Sequence, residues 1–263
     1  SRIKNKNLKI YKKNSLIVNK IKICLSTKLG EVVVSTDSQK IAKIAKKNKA
    51  IVLKLRSKKL SGSKASMISS VVDFVKTLEK LKIRKPKYIS IVPVTTPLLR
   101  KKSIIYAFNK LKKNKKFNLI TSVINSKADP FNLIKDYKNK VLFDIFTHKM
   151  ASFKTIERSQ DKPKFMKISN AIQITKTEYF EKFRRETLTK LLAKPLDVNS
   201  CTYLIIEPFE DYDINTIDEY AILRSLTNKK NLLKKITRQF FWSFCLYNLT
   251  TYWYLNKDLK WKI

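Results

Sequence analysis

Histidine, cysteine and glycine are all scarce in this sequence, which has one, three and two of them in 263 residues. A single histidine, His148, excludes a metal site built from several histidines, so any catalysis has to rest on lysine, arginine, carboxylate, hydroxyl or amide groups. Cys24, Cys201 and Cys245 are far apart and lack CxxC spacing. This argues against a disulfide framework or a zinc site and predicts a reduced, cytoplasmic setting.

Long apolar runs are also missing. No stretch of about 18 uncharged apolar residues occurs, and the N-terminus has no apolar segment of the signal-peptide kind. We therefore expect a soluble protein without a transmembrane segment. Because the first residue is Ser rather than Met, we also expect that an upstream part has been lost or removed.

Negative charge is the third scarce feature, since 20 Asp and Glu stand against 58 Lys and Arg, for a formal net charge of +38. Such a charge is typical of nucleic-acid-binding proteins, in which lysine and arginine neutralise phosphates. Here the lysines are spread along the whole chain instead of forming one block with stacking aromatics. We interpret the charge as compositional bias, with no specific nucleic-acid partner, although its field would attract polyanions and anionic substrates.

Apolar residues make up 43% of the chain, which is enough for a folded core. They recur in segments of alternating strand and helix character as far as residue 123. This order predicts a three-layer, Rossmann-like α/β fold with a mostly parallel sheet and ligands at the carboxyl ends of the strands. The strands are predicted at 31–38, 50–55, 88–94 and 117–123, and the helices at 66–81, at 102–112 and from Gln39 onward.

The alternation weakens after Asp129, where short segments fit antiparallel hairpins or an excursion arm. It returns between Cys201 and Leu226 as a strand, an acidic loop and a closing helix. We therefore predict one domain over 1–226 and a separate basic, aromatic-rich tail over 227–263. For that tail, three interpretations stay open: an interfacial or partner-binding helix, a helix packed on its own domain, or a segment foreign to the domain.

Five segments carry a resemblance to a known family. From the N-terminus they read SRIKNKNLKI, VVVSTDSQKIAKIAKKNKA with LRSKKLSGSKASM, IVPVTTPLLRKKSI, RSQDKPKFMKISNAIQIT and YDINTIDEYAILRSL. In this order they resemble the acylneuraminate cytidylyltransferases, or CMP-sialic acid synthetases. The resemblance implies a fold of the nucleotide-diphospho-sugar transferase type, with an arm at about 129–175 that pairs two subunits into a homodimer.

The function that the resemblance implies is nucleotidyl transfer. CTP and a nine-carbon acidic sugar would give the CMP-sugar and pyrophosphate, with Mg²⁺ as cofactor, for surface polysaccharide or glycoconjugate synthesis. One alternative is another keto-acid sugar, such as an octulosonate. The other is a catalytically degenerate basic α/β module that binds RNA or anionic surfaces.

The same resemblance implies a set of nucleotide-binding residues. Lys6 is the catalytic, phosphate-binding lysine, and Asn7 stands where the family has an asparagine that reads the nucleotide. Arg2 adds positive charge, and Arg56 matches an arginine beside the nucleotide. Ser66 begins a helix whose N-terminal amides can approach the nucleotide, which is a favourable place for an anion.

Metal ligands are implied in the segment YDINT. Asp213 matches the first metal-binding carboxylate and is the second catalytic residue. Asn215 replaces the second aspartate, and its amide oxygen can ligate Mg²⁺ without adding charge. Asp211 is the alternative second ligand, because it also lies two positions from Asp213.

Sugar-binding residues are implied in two places. Thr95 and Thr96 follow the strand at 88–94, and Arg158 with Gln160 matches the stretch that helps to bind the sugar carboxylate. The sequence also departs from the family, since the first strand and the glycine-containing half of the phosphate loop are absent from a chain that begins at Ser1. We expect these departures to impair the activity of this fragment more than its fold.

Overall fold

The structure is a computed structural model that describes residues 3–62, 67–126, 134–137, 140–143, 165–182 and 200–226. Its strands are β1 (Ile10–Tyr11), β2 (Asn14–Ser15), β3 (Tyr88–Ile91), β4 (Leu119–Asn125), β5 (Ile134–Tyr137), β6 (Lys140–Phe143), β7 (Met166–Lys176) and β8 (Cys201–Ile205). Its α-helices are α1 (Leu16–Ser26), α2 (Gln39–Lys47), α3 (Lys58–Ser61), α4 (Met67–Lys80), α5 (Lys101–Lys113), α6 (Thr177–Lys182) and α7 (217–226). Short 3-10 helices occupy Lys6–Leu8 and Pro208–Asp211.

The main sheet has the strand order β3-β7-β4-β8. β4 and β8 are parallel, whereas β7 runs antiparallel to both of its neighbours, β3 and β4. Three of the four strands therefore share one direction. The helix α5 connects β3 to β4 and packs on the sheet through Ile104, Ala107 and Leu111, so the predicted α/β class is confirmed.

The two strands predicted at 31–38 and 50–55 are present only as a short parallel contact. A single bridge joins Val33 to Ile51, with backbone hydrogen bonds from Val34 N to Ile51 O (2.9 Å) and from Ile51 N to Val32 O (2.8 Å). Their apolar side chains pack with α1 and α2 in one cluster. The helices predicted from Gln39, at 66–81 and at 102–112 are all present, as α2, α4 and α5.

The pairing of β4 with β7 changes register in the middle of the sheet. Thr121 lies opposite Gln173, but the next residue, Ser122, lies opposite Ser169. The Ser122 hydroxyl bonds across this irregularity. It accepts from Ile172 N (3.0 Å) and donates to Ser169 O (3.1 Å). Such bulges bend a strand and re-aim the residues beyond it.

The predicted arm overlaps two different sheets. β5 and β6 form an antiparallel hairpin of their own, whereas residues 166–175 belong to β7 in the main sheet. The remainder of the arm and the predicted tail at 227–263 lie outside the described residues. In the part of the chain that the structure describes, no helix combines the length and apolar character that crossing a membrane requires.

A small apolar cluster joins the two ends of the domain. It contains Ile3, Tyr11 and Leu16 from the N-terminal side and Ile214, Tyr220 and Leu223 from the C-terminal side. The Tyr220 hydroxyl also donates to Ile10 O at 2.7 Å. This packing brings the Lys6–Leu8 turn against the segment at 213–216, which are distant in sequence.

Candidate active site

Lys6 is the centre of the polar contacts that this packing creates. Its ammonium donates to Ile214 O at 2.7 Å and to the Oδ1 atom of Asn215 at 3.3 Å, across 208 residues of sequence. Both acceptors are neutral, so these contacts orient the charge without cancelling it. The lysine that sequence reasoning assigned to phosphate binding therefore lies beside the residues assigned to metal binding.

The loop that carries Lys6 turns sharply at Asn5. Asn5 has a φ of 55° and a ψ of 34°, in the left-handed region that asparagine tolerates better than most residues. Its carbonyl accepts from Leu8 N at 2.9 Å, and Lys6 O accepts from Lys9 N at 3.0 Å. Asn7 lies half-buried inside this turn.

Asp213 and Asn215 are bonded to each other. The Asn215 Nδ2 group donates to Asp213 Oδ2 at 3.0 Å, so the Asn215 amide bridges Lys6 and Asp213. The other carboxylate oxygen, Asp213 Oδ1, is buried and has no hydrogen-bond partner among the described residues. A buried carboxylate oxygen without a partner is costly unless a cation or a donor meets it.

Asp211 has a different environment. It ends the 3-10 helix Pro208–Asp211, and its Oδ2 atom forms an ion pair with Lys167 of β7 at 3.4 Å. Within the described ranges, no group of three or more His, Cys, Asp or Glu side chains is placed to hold a metal ion. The carboxylate available in this loop is therefore that of Asp213.

A capping interaction holds the backbone on the far side of Asn215. Glu219 Oε2 accepts from Asn215 N at 2.6 Å and from Thr216 N at 2.7 Å, and Glu219 N donates to Thr216 Oγ1 at 3.2 Å. These backbone amides, with the nearby charge of Lys6, lower the pKa of Glu219. Sequence reasoning missed Glu219, although Thr-x-x-Glu before an apolar helix is the signature of a capping box.

The turn after β3 borders the same loop. Thr95 is half-buried, and its carbonyl accepts from Ile214 N at 2.9 Å. Thr96 is only 1% exposed, and its hydroxyl donates to Pro93 O at 3.1 Å. Thr96 therefore supports the turn from inside the protein, and a direct substrate contact is open to Thr95.

Arg56 belongs to a separate cluster at the end of the segment 50–56. Its NH1 group donates to Ser70 Oγ at 3.1 Å, and its NH2 group lies 4.0 Å from Asp37 Oδ1. Its Nε is buried, and no residue in the described ranges accepts a hydrogen bond from it. The Arg56 guanidinium thus lies between Asp37 and Ser70 of helix α4, and its Nε stays available as a donor.

Two further buried charges near the Thr96 turn were not predicted. Glu210 is fully buried and accepts from the backbone and side chain of Arg100 at 2.8 and 2.9 Å and from Ser103 Oγ at 2.8 Å. Burial raises the pKa of Glu210, but the hydrogen bonds from Arg100 and Ser103 outweigh it, so the net pKa is below the usual value. Lys20 is 4% exposed and donates to Thr96 O at 2.7 Å.

A signal for Lys20 was present in the sequence. It continues the stripe of Leu16, Ile17, Ile21 and Cys24 on one face of α1, where helical periodicity predicts a buried position. The abundance of surface lysines concealed it. The remaining predicted site residues, Arg2, Ser66, Arg158 and Gln160, lie outside the described residues.

Comparison with known proteins places the chain among nucleotidyltransferases. The family model described as cytidylyltransferase matches residues 1–198. Post-translational flagellin modification protein B of Campylobacter coli is 28% identical over 236 residues, which cover 89% of this chain and 92% of that protein.

Solved structures share the fold at low identity. A CMP:2-keto-3-deoxy-manno-octonic acid synthetase complexed with CTP has a TM-score of 0.59 and 13% identity, covering 88% of this chain and 94% of that one. The 4-diphosphocytidyl-2C-methyl-D-erythritol synthase of Anaerococcus prevotii has a TM-score of 0.55 and 15% identity, over 86% and 95% of the two chains. A cytidylyltransferase from Leptospira borgpetersenii has a TM-score of 0.53 and 16% identity, over 91% and 90%.

Proposed function

The chain belongs to the cytidylyltransferase family, and we propose that it transfers the cytidylyl group of CTP to a nonulosonic, sialic-type acid. The observation that carries this proposal is the convergence of Lys6 with the Asn215–Asp213 pair. A cation and a carboxylate both suit a site where a triphosphate is cleaved, because the first neutralises phosphate charge and the second can hold a metal ion.

The proposed reaction is a displacement at the α-phosphorus of CTP. The anomeric hydroxyl of the sugar acid releases its proton to solvent and forms a new P–O bond, while the bond from the α-phosphorus to the bridging oxygen breaks. Pyrophosphate leaves with the electron pair of that bond. Lys6, whose hydrogen-bond acceptors are both neutral, is oriented to oppose the negative charge that develops on the phosphates.

Mg²⁺ is the cofactor that we propose for this site. Mg²⁺ is commonly bound by one or two carboxylates together with substrate phosphates, and the unpartnered Asp213 Oδ1 fits the protein part of such a site. When bound, the ion would neutralise charge on the phosphate oxygens. Asp213 is the proposed ligand, because the Oδ1 atom of Asn215 is engaged by Lys6 and Asp211 by Lys167.

Two observations support a nonulosonic acid as the acceptor, and a third supports the alternative. The motifs of this sequence resemble those of acylneuraminate cytidylyltransferases. The Campylobacter coli relative is named for the modification of flagellin, which fits a role in decorating a surface protein. The structural likeness to an octonic acid synthetase supports an eight-carbon keto acid as the alternative acceptor.

Calorimetric titration of CTP, with and without Mg²⁺ at moderate salt, tests the nucleotide site. We expect binding that prefers CTP over other triphosphates and strengthens with Mg²⁺. Lys6→Met should weaken binding by about 10-fold or more, because a charge-assisted contact to phosphate is lost. Asp213→Asn should remove mainly the Mg²⁺-dependent part.

Lys43→Met is the matched control for these titrations. Lys43 is exposed on α2, so its replacement removes the same charge and should leave CTP binding unchanged. Equal losses in the Lys6 and Lys43 variants would mean that only the overall charge attracts CTP. That result, or binding without nucleotide preference, would refute the proposed site.

Pyrophosphate release with different acceptors identifies the substrate. We expect turnover with CTP and a nine-carbon nonulosonic acid and much slower turnover with 2-keto-3-deoxy-manno-octonic acid. The reverse preference would assign the chain to the octulosonate alternative. Analytical ultracentrifugation in the same buffer would test the homodimer, which stays a prediction.

The charge of +38 favours polyanion binding as a second candidate function. Binding of an unstructured RNA should then fall steeply between low and moderate salt and show no preference for CTP as competitor. RNA binding with this steep salt dependence, in a chain that does not turn over CTP, would favour the non-catalytic module.

A further inference from the structure

Lys20 is a buried cation that the proposed reaction does not use directly. It lies on α1 and is 4% exposed, among Leu16, Ile17 and Ile21, which are also buried. Its ammonium donates to Thr96 O at 2.7 Å, and Thr96 Oγ1 lies 3.5 Å away. Both partners belong to one residue of the turn after β3.

The Thr95–Thr96 turn is thereby held from two elements. Lys20 holds the Thr96 carbonyl from α1, and Ile214 N holds the Thr95 carbonyl at 2.9 Å from the segment that carries Asp213. Helix α1 follows closely after the Lys6–Leu8 turn in the chain. The turn is therefore tied to both parts of the candidate active site.

Among the residues that the structure describes, no carboxylate forms an ion pair with Lys20 that would explain its burial. Its hydrogen-bond acceptors are neutral, and Glu210, whose charge influences Lys20, is already bonded to Arg100 and Ser103. Burial lowers the pKa of Lys20 to about 8, which means that the fold disfavours the charged form. A methionine would fill such an apolar stripe at lower cost, so stability alone does not account for a lysine here.

The other charged and titratable groups that the structure describes around Lys20 do not supply a partner either. Cys24 lies one turn further along α1, and burial raises the pKa of its thiol. Lys6 is bonded to the loop at 214–215. The lysines of the packed helices α2 and α5 near this end of the domain are exposed: Lys40, Lys43, Lys46, Lys47, Lys101 and Lys102.

We propose that Lys20 is a positioning residue for the transfer reaction, in which its ammonium fixes the Thr96 carbonyl and so aims the Thr95–Thr96 turn at the acceptor sugar. This inference rests on the proposed cytidylyl transfer. It assigns to Lys20 no contact with either substrate. Loss of the ammonium should misplace the turn, and small misplacements of a positioning element reduce turnover more than binding.

Steady-state kinetics with Lys20→Met is the first test. We expect kcat to fall by about 10- to 100-fold while the KM for CTP changes little, because the nucleotide contacts remain. The wild-type kcat should decline as the pH rises above about 8, and the variant should lack this decline. Lys22→Met is the matched control, since Lys22 is exposed on the same helix, and it should behave as the wild type.

Hydrogen exchange provides a second readout that does not depend on turnover. In Lys20→Met, the amides of 94–99 should exchange faster than in the wild type, with β4 as the internal reference. In the wild type, the same segment should lose protection between pH 7 and 9.5 after correction for the intrinsic exchange rate. The pH series uses the wild-type chain, so it tests the proposal even where the variant folds poorly.

The outcomes separate the two proposals. A wild type without CTP turnover would refute the proposed function, and hydrogen exchange would still decide whether Lys20 holds the turn. Unchanged kcat and unchanged exchange in Lys20→Met would overturn the role of Lys20 while leaving the reaction intact. A variant that loses stability and protection throughout the domain would also overturn it, since Lys20 would then be a structural residue.

Discussion

Lys20 and Glu210 are both buried charged side chains, bonded to Thr96 and to Arg100 respectively, yet their surroundings differ. Glu210 receives hydrogen bonds from Arg100 N, Arg100 Nε and Ser103 Oγ, and its pKa is lowered, so the fold favours its charged form. Within the described part of the chain, Lys20 donates to Thr96 alone, and its pKa is also lowered, so the fold disfavours its charged form. The comparison shows that burial alone does not decide whether a charge stabilises a protein.

The difference has a functional meaning. A carboxylate bonded by several donors is a structural anchor, which ties the Pro208–Asp211 turn to the start of α5. An ammonium held by one carbonyl lowers stability, and such arrangements are found where a protein needs the charge for its activity. Glu210 should therefore affect the free energy of unfolding most, and Lys20 the rate of the reaction.

The largest expected effect on stability is that of Glu210→Gln. The variant should lose about 2 to 3 kcal/mol of unfolding free energy, because Arg100 loses its charged partner and a neutral amide replaces a fully bonded carboxylate. Urea unfolding at pH 7 measures this loss. A loss below about 0.5 kcal/mol, the range typical of surface pairs, would mean that the network is not the anchor that its geometry indicates.

The dependence of stability on pH provides an independent check on the charge state of Glu210. Because its pKa is lower in the folded state than the reference value of 4.5, the unfolded chain takes up this proton first as the pH falls. The stability difference between the wild type and Glu210→Gln should therefore be full at pH 7 and shrink as the pH falls below about 4.5. A difference that stays constant down to pH 3 would contradict the assigned charge state.

The next effect in size has the opposite sign. Lys20→Met should raise the unfolding free energy at pH 7, by about 1 to 2 kcal/mol, because the difference between pKa values of 10.5 and about 8 sets an upper limit of about 3 kcal/mol. Between pH values of about 8 and 10.5, residue 20 binds more protons in the unfolded chain than in the folded chain. The unfolding free energy of the wild type should therefore rise with pH over this range, and the stability advantage of Lys20→Met should vanish. Thermal unfolding from pH 7 to 10 measures this.

A smaller loss is expected for Ser103→Ala. The Ser103 hydroxyl is one of several donors to Glu210, and its removal should cost about 1 kcal/mol, as for a typical hydrogen bond. Differential scanning calorimetry under the conditions used for Glu210→Gln allows direct comparison. An effect as large as that of Glu210→Gln would show that the serine, and not Arg100, holds the carboxylate.

The smallest effect is expected for Glu207→Gln, which serves as the matched control for Glu210→Gln. Glu207 faces the same arginine, but at 3.8 Å and with 57% of its side chain exposed. Its replacement should change the unfolding free energy by less than about 0.5 kcal/mol. If urea unfolding showed a larger change, the solvent-exposed ion pair would have to be counted as part of the anchor.

The sequence by itself determined the local elements and the family. Periodicity predicted α2, α4 and α5 and the strands β3 and β4, because the spacing of apolar residues in a helix or strand is a property of a few neighbouring residues. Motif order placed Lys6 and Asp213 in one site, through the resemblance. The Thr216-x-x-Glu219 cap and the buried position of Lys20 were also readable in the local pattern.

Only the tertiary structure decided which distant groups meet and what each lacks. β7 enters the sheet antiparallel between β3 and β4, a pairing that links residues far apart in the chain and has no local signal. Three features of the described residues depend on that assembly: the contact of Lys6 with Asn215, the Asp213 Oδ1 atom without a partner, and the hydrogen bond from Lys20 to Thr96. The sequence determines which side chains can carry a charge, but the folded chain determines how each of them is solvated and which partners it has.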